Sequence, residues 1–377
     1  MRALTRLAAA LIALVGFAAG AQPVPAGRIV NPDEITVYFP AFHGDETLGR
    51  NVATVLSLQL AQTTRRAPWP DNPLGHDFGP GMIRWSRATL EAPTHDAATR
   101  AAAASDLLAQ VVVWGSAHHY GADVVADVNV TLPRYAPPGR CGDGAEPCDY
   151  RTLNFERWTI DHGVGPLTVE PPSRAFSVAA IPLAPAIVAA FREAAGLPIH
   201  DARSGGRVIG RTGESLRFQE FNRGLPGAPT RLSSGGVTGW VRLPELHAAG
   251  RASEFAEMVG GLVQTMRGDW DGAARNFARV VDNPATRPPL RLDALLLLGM
   301  AETRGGGSGR ARFERALAQA PYDRRVVRYA VMDRLASGVA ADAGYVLELL
   351  AEKRRLFASD DPWLKTARAT ARRVLPR

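Results

Sequence analysis

The spacing of apolar residues changes character twice along the chain. In the first stretch Val124, Ala126, Val128, Val130 and Leu132 alternate with Val125, Asp127, Asn129 and Thr131. That period of two predicts an antiparallel strand with one face on a core and the other toward solvent. Ahead of it, Val111-Val112-Val113-Trp114-Gly115-Ser116 is apolar enough for a central strand, and Ile35 to Pro40 is a shorter β-rich run. Between these, Leu48, Val52, Val55, Leu56 and Leu60 recur at helical spacing behind Asp45, a start signal. Alanine-rich Thr94 to Ala109 predicts a second helix capped by Thr94. The order is strand, helix, helix, strand, strand.

From Leu197 to Leu246 the apolar runs become very short: Val208-Ile209, Leu216 with Phe218, Val237, Trp240-Val241 and Leu243. Gly, Ser, Pro and Asn stand at each reversal, which predicts a small barrel of about five strands. Trp240 is expected inside it, because burying about 200 Å² of indole is worth roughly 5 kcal/mol. From Phe255 onward the period is helical and the pattern repeats. Gly261, the turn Gly268-Asp269-Trp270, Ala273, Phe277 and Pro284 are followed by Gly299, Phe313, Ala316 and Pro321. Small residues let two helices approach and the aromatic fills the gap, so Phe277 and Phe313 are expected in the core. Val326–Leu335 and Tyr345–Phe357 predict a third, divergent unit, closed by a helix near Trp363–Val374. Three stacked units are what such an array needs to bury its core.

The expectation is therefore a multidomain α+β protein. It comprises an α/β sandwich-type amino-terminal domain (28–195), a small β-barrel (197–246) and a carboxyl-terminal α-helical repeat array (252–377), with junctions near Gly196 and Gly250. Residues 1–21 carry Arg2 and Arg6, an apolar stretch from Leu7 to Ala19, and Ala19-Gly20-Ala21. This is the pattern of a cleaved signal peptide, since a membrane-spanning helix takes about 20 apolar residues. The mature chain is expected to begin near Gln22, without a transmembrane segment, in the periplasm or outside the cell. There the only two cysteines, Cys141 and Cys148, are expected to form a disulfide, which stabilises by roughly 2.5 kcal/mol for so short a loop.

Residues 28–160 resemble the TolB amino-terminal domain and related envelope domains. The likeness is carried by the strand ending Phe39-Pro40, the helix after it, and Leu107-Leu108-Ala109-Gln110-Val111-Val112-Val113-Trp114-Gly115-Ser116 with its hairpin. The stretch from 197 to 246 is similar to bacterial SH3-like domains through Leu197-Pro198-Ile199, Gly205-Gly206-Arg207-Val208-Ile209-Gly210 and Thr238-Gly239-Trp240-Val241. The helical units resemble tetratricopeptide repeats. Together these resemblances imply binding modules used in envelope assemblies.

Catalytic signatures are sparse. GxSxG, HExxH and GxxxxGK[ST] do not occur in the sequence. Gly305-Gly306-Gly307-Ser308-Gly309 could suggest a phosphate cradle, but no strand is predicted before it, and a turn between repeat helices is expected. His118-His119 point to opposite faces of a strand and cannot share one ion; Asp123 with Asp127 is expected to be a turn residue plus a solvated strand position. No cofactor, metal or catalytic residue is assigned. Phe218 and Phe221 lie on opposite faces of their strand, so one is core and the other is left for a ligand.

Charge is unevenly placed. Residues 251–377 hold 22 Lys+Arg against 15 Asp+Glu, whereas 22–250 hold 20 against 22. Arg368, Arg372 and Arg373 near the end are candidates for electrostatic docking to an acidic protein segment or to the anionic envelope surface. The reading favoured by the sequence is a secreted, non-enzymatic scaffold or adaptor for envelope proteins. The alternatives are a peptidoglycan- or glycan-binding protein acting through the barrel and an envelope hydrolase of unrecognised type. Nucleic acid is not an expected partner.

Overall fold

The structure is a computed structural model that describes residues 22–23, 35–44, 48–50, 52–53, 56–57, 60, 82–85, 92–104, 109–121, 123–136, 155, 157–183, 196–213, 215–220, 229–242 and 251–376. It is a mixed α+β protein, with sheets followed by a carboxyl-terminal helical region. Residues 1–21, Cys141, Cys148 and Phe221 lie outside the described residues.

In chain order the strands are β1 (Gln22–Pro23), β2 (Thr36–Phe39), β3 (His43–Gly44), β4 (Met82–Trp85), β5 (Val111–Tyr120), β6 (Asp123–Thr131) and β7 (Tyr135–Ala136). They are followed by β8 (Trp158–Ile160), β9 (Leu167–Val169) and β10 (Ala175–Leu183). Strand β2 pairs in parallel with both β4 and β5, and β5, β6 and β10 continue as an antiparallel meander. The register between β2 and β5 is pinned by Gln110. Its buried side chain accepts from the Thr36 N–H at 2.6 Å, while its own N–H donates to the Thr36 carbonyl at 3.1 Å. The alternation expected in β6 is present, since Val124, Ala126, Val128 and Val130 are buried and Val125, Asp127 and Asn129 half-buried. Thr131 departs from it and is fully buried. Helix α1 (His95–Ala104), whose Thr94 hydroxyl accepts the Ala97 N–H, lies over that face. There the Thr131 hydroxyl accepts the Trp114 indole N–H at 2.7 Å and faces His95 Nδ1 at 2.9 Å. Burial lowers the His95 pKa.

Five short strands follow: β11 (Pro198–His200), β12 (Val208–Arg211), β13 (Ser215–Glu220), β14 (Pro229–Ser234) and β15 (Val237–Arg242). They run in the order β13-β14-β15-β11-β12, and β13 pairs with β4. Among the described residues they thus extend the amino-terminal sheet, and no ladder joins β12 to β13. Among the described residues Ile199, Leu232 and Val241 are their buried hydrophobic side chains. Trp240 corrects the expectation of an interior indole. It is half-buried, facing away from Val241, with the Arg203 guanidinium 5.6 Å from its ring centre. Gly239 and Val241 take the inward positions; a side chain at 239 would strike the His200 carbonyl.

The helical region consists of α2 (Arg251–Arg267), α3 (Trp270–Asp282), α4 (Pro288–Arg304), α5 (Arg310–Gln319), α6 (Arg324–Ala336), α7 (Ala340–Glu352), a 3-10 turn (Arg354–Leu356) and α8 (Pro362–Val374). Asp269, Asp323 and Asp361 cap α3, α6 and α8 with their carboxylates, supplying acceptors to otherwise orphaned N–H groups. At Gly261 an added Cβ would sit 2.5 Å from the Phe277 ring, and at Gly299 2.7 Å from the Phe313 ring. The two glycines therefore set the distance at which α2 meets α3 and α4 meets α5. Phe277 and Phe313 are buried, as their spacing predicts.

The array does not stand apart from the sheet. Helix α2 packs on β10, and Phe255 meets Phe39 edge-on, with ring centres 6.2 Å apart. One hydrophobic cluster runs from Val37 and Phe176 through Phe255 to Leu364. The sheet is thus covered by α1 on one face and, on the other, by the array together with Leu48, Val52, Leu56 and Leu60.

Candidate functional site

Strands β8 and β9 form a separate two-stranded hairpin that reaches onto the array. Their sequence explains why. Trp158, Leu167 and Val169 are apolar on one face, while Thr159 and Thr168 pair their hydroxyls at 2.9 Å on the other. The apolar face cannot be covered by two strands alone. It is covered by α5 and α6, where Trp158 lies 6.0 Å from Phe313 and 6.1 Å from Tyr329, centre to centre.

The array holds this segment largely by its backbone. The Tyr329 hydroxyl donates to the Glu170 carbonyl at 2.9 Å, Arg325 Nη1 to the Pro172 carbonyl at 2.8 Å, and His162 Nε2 to the Leu335 carbonyl at 2.8 Å. Arg325 is itself fixed by Asp293 (2.9 Å) and Asp323 (2.7 Å). Burial pushes the Asp293 carboxyl up to about 6, although Arg325 pulls it the other way. At Asp323 burial acts in the same upward sense, but the Arg325 hydrogen bonds outweigh it and the carboxyl is held below its usual range. The phenol of Tyr329 is raised by burial.

Beside the hairpin is a cleft of about 790 Å³, between Arg157-Trp158-Thr159-Ile160 on one wall and Thr303–Arg310 with the end of α6 on the other. That volume falls in the range of about 300–1,000 Å³ typical of ligand sites. Arg157, Arg304 and Arg310 line it, against the single carboxylate Asp333. Each guanidinium is positioned: Arg157 by Glu170 (2.8 Å), Arg304 by stacking 4.5 Å from the Trp270 ring centre, and Arg310 by Asp342. Asp333 accepts from the Thr303 hydroxyl at 2.9 Å, and burial raises its pKa. Burial also acts to raise Asp342, but hydrogen bonds from Arg334, Ser337 and Arg310 overturn that and hold it below its ordinary value.

The glycine-rich loop forms part of the cleft wall without being a phosphate cradle. The N–H groups of Gly305, Gly306 and Gly307 donate to the carbonyls of Ala301, Thr303 and Glu302, closing the end of α4. The Gly309 N–H goes to the Thr303 hydroxyl.

The residues singled out from sequence are scattered. The backbone of Phe218 is in β13, away from the cleft, and its side chain lies outside the described residues. Arg368 is half-buried and donates to the Leu350 carbonyl at 3.4 Å, whereas Arg372 and Arg373 are exposed in the last turn of α8. None of the three lines the nearby 550 Å³ pocket, which is formed by Arg324, Arg328 and Trp363 around Asp361. His118 and His119 are exposed on opposite sides of their strand, and Asp127 accepts from the Ser116 hydroxyl at 3.4 Å. Among the described residues no group of three or more His, Cys, Asp and Glu side chains could hold a metal ion, and no helix is long and apolar enough to cross a membrane. Sequence reading missed Arg157, Trp158, Arg304 and Arg310 as a group. Its one signal was the glycine-rich loop, whose opposite wall comes from a distant part of the chain. No family model, curated protein or solved structure matches this chain.

Proposed function

We propose that the protein is a non-enzymatic scaffold or adaptor of the bacterial cell envelope, built from a TolB-like domain, an SH3-like unit and tetratricopeptide-type repeats. The observation that carries this reading is the way the helical region grips the hairpin. It stacks Phe313 on an inserted Trp158, sets the Tyr329 ring at a tilt against the same indole, and meets main-chain carbonyls with Tyr329 and Arg325. Aromatic anchorage combined with main-chain hydrogen bonding is the chemistry of protein-segment recognition. The array already performs it on a part of its own chain. Its positive balance supports acidic segments as partners.

The test is photo-crosslinking in the intact envelope from positions on the array and, separately, on the sheet. A reproducible set of envelope proteins captured from the array supports the adaptor. Failure to crosslink any protein, or equal scatter from both surfaces, removes it.

A second reading, glycan binding through the 197–246 region, is favoured by the half-exposed Trp240. It requires co-sedimentation with purified peptidoglycan that is lost in Trp240→Ala. No co-sedimentation, or co-sedimentation unchanged by the substitution, disposes of this reading.

A further inference from the structure

We infer that the open edge of β8 takes up an extended acidic protein segment as a third strand, with Arg157, Arg304 and Arg310 reading its carboxylates. The inference rests on the adaptor reading and names the kind of partner that this cleft fits.

Three observations carry it. First, β8 pairs with β9 alone, and among the described residues the backbone on its other edge has no hydrogen-bond partner. An unpaired strand edge is a row of N–H and C=O groups ready to template another chain. Second, that edge opens onto the cleft. Arg157, Trp158, Thr159 and Ile160 are consecutive and all line it, although successive strand side chains point to opposite faces. The Trp158 indole is turned into the array against Phe313 and Tyr329, so the stretch borders the cleft along its length and not through that side chain. Third, the charge is complementary. Three arginines and Asp333 line the cleft; Glu170 pairs with Arg157, Asp342 with Arg310, and Arg304 stacks on the Trp270 ring, so each guanidinium is positioned before any ligand arrives. A guanidinium offers five N–H donors, so the bond that fixes it leaves others for an incoming carboxylate. The occupant must therefore be extended, carry main-chain donors and acceptors, and be acidic.

The full-length mature chain is tested with a short fluorescein-labelled peptide of alternating Glu and Val, followed by anisotropy at low salt. A Gln-Val analogue should bind at least about tenfold more weakly, a difference of about 1.4 kcal/mol. The Arg157→Gln/Arg304→Gln double variant should bring the acidic peptide to the level of the neutral one. Arg287→Gln, exposed at the opposite end of α4 from Arg304, should leave it unchanged. Two further peptides, N-methylated at alternate residues in the two possible phases, test strand addition on the unaltered protein. One phase should lose binding by about tenfold or more, and the other should retain it.

Equal binding of the acidic and neutral peptides, indifference to the Arg157/Arg304 substitutions, or indifference to N-methylation in both phases would each overturn the proposal. So would displacement by a polyuronate as effective as that by unlabelled peptide, which would point to an anionic glycan. If envelope crosslinking succeeds while the peptide results fail, the cleft assignment falls and the adaptor reading stands. Peptide results as expected, with no protein crosslinked in the envelope, defeat the adaptor reading alone.

Discussion

The array meets the amino-terminal region along two seams of different chemistry. Along the first, α2 lies on β10 and Phe255 packs edge-on against Phe39, both rings fully buried among aliphatic side chains. Along the second, Phe313 stacked on Trp158 is combined with hydrogen bonds from Tyr329 and Arg325 to the hairpin's carbonyls, and with Asp293 and Asp323 around the arginine. The apolar seam gains only from water exclusion and has no substitute partner when opened. The mixed seam exchanges hydrogen bonds with water and holds an ionisable group whose charge depends on pH. The first is a continuation of the core; the second is recognition carried out within one chain. A protein that binds its own hairpin in this way has the means to hold the neighbouring edge strand in place for another chain.

The sharpest way to break that comparison is to truncate one anchor on each seam. Phe255→Ala should cost about 3–5 kcal/mol of global stability, the usual range for a buried phenylalanine. Trp158→Ala should lower the global transition by less than half of that, while making 157–172 the first site of proteolysis. Urea unfolding with limited proteolysis measures both. Equal global losses would mean that the two seams are one core and that the hairpin is no separable element.

Next in size are the two glycines that set helix approach. Gly261→Ala and Gly299→Ala should each destabilise by about 1–3 kcal/mol, since the added methyl must displace the Phe277 or Phe313 ring. Phe313 also touches Trp158. Gly299→Ala should therefore loosen the hairpin as well as the array, whereas Gly261→Ala should affect the array only. Hydrogen exchange in 157–172 separates the two. Identical exchange in both variants would show that the hairpin does not sense the packing beneath it.

The mixed seam should also respond to pH. Asp293 titrates near 6 in the folded protein, above its unfolded value of about 3.9. The folded state therefore binds the extra proton between those values, and this group's contribution to stability declines as pH rises through the window. Relative to Asp293→Asn, the wild-type protein should lose about 2 kcal/mol between pH 4 and pH 7. Asp323 has the opposite sign: its stabilising contribution is lost as pH falls through its lowered folded value. Comparing the two variants keeps that background in place. A pH-independent difference would place Asp293 in water and weaken the contrast between the seams.

What the sequence made legible was local. The β6 alternation, the cap at Thr94, and the pairing of Gly261 with Phe277 and of Gly299 with Phe313 all follow from periods that a short window contains. What it concealed was supplied by distant segments. Thr131 reads as a solvent-facing position and is buried, because α1 covers it. Trp240 reads as core, yet Gly239 and Val241 have taken the inward phase of that strand. The hairpin–array site was hidden most completely, since Tyr329 and the Glu170 carbonyl it binds lie 159 positions apart. No spacing rule connects Arg157 to Arg304.

The smallest effect concerns the basic end of the array, and it sharpens the comparison from outside both seams. Arg372 and Arg373 are exposed in the last turn of α8, where cations complement the helix dipole by about 0.3–1 kcal/mol each at low ionic strength. Arg368 differs from them: it reaches the Leu350 carbonyl, so part of its role is to tie α8 to α7. Replacing Arg372 and Arg373 by Gln should thus cost little stability, while adding Arg368→Gln should cost measurably more. If this end docks acidic protein in the envelope, capture by the wild-type chain should fall with added salt. The Debye length shortens from about 10 Å at 0.1 M to about 3 Å at 1 M. Capture by Arg372→Gln/Arg373→Gln should already be low and nearly salt-independent. Unchanged capture in this variant, with the fold intact, would leave the β8 cleft as the surface through which the charge of the array acts.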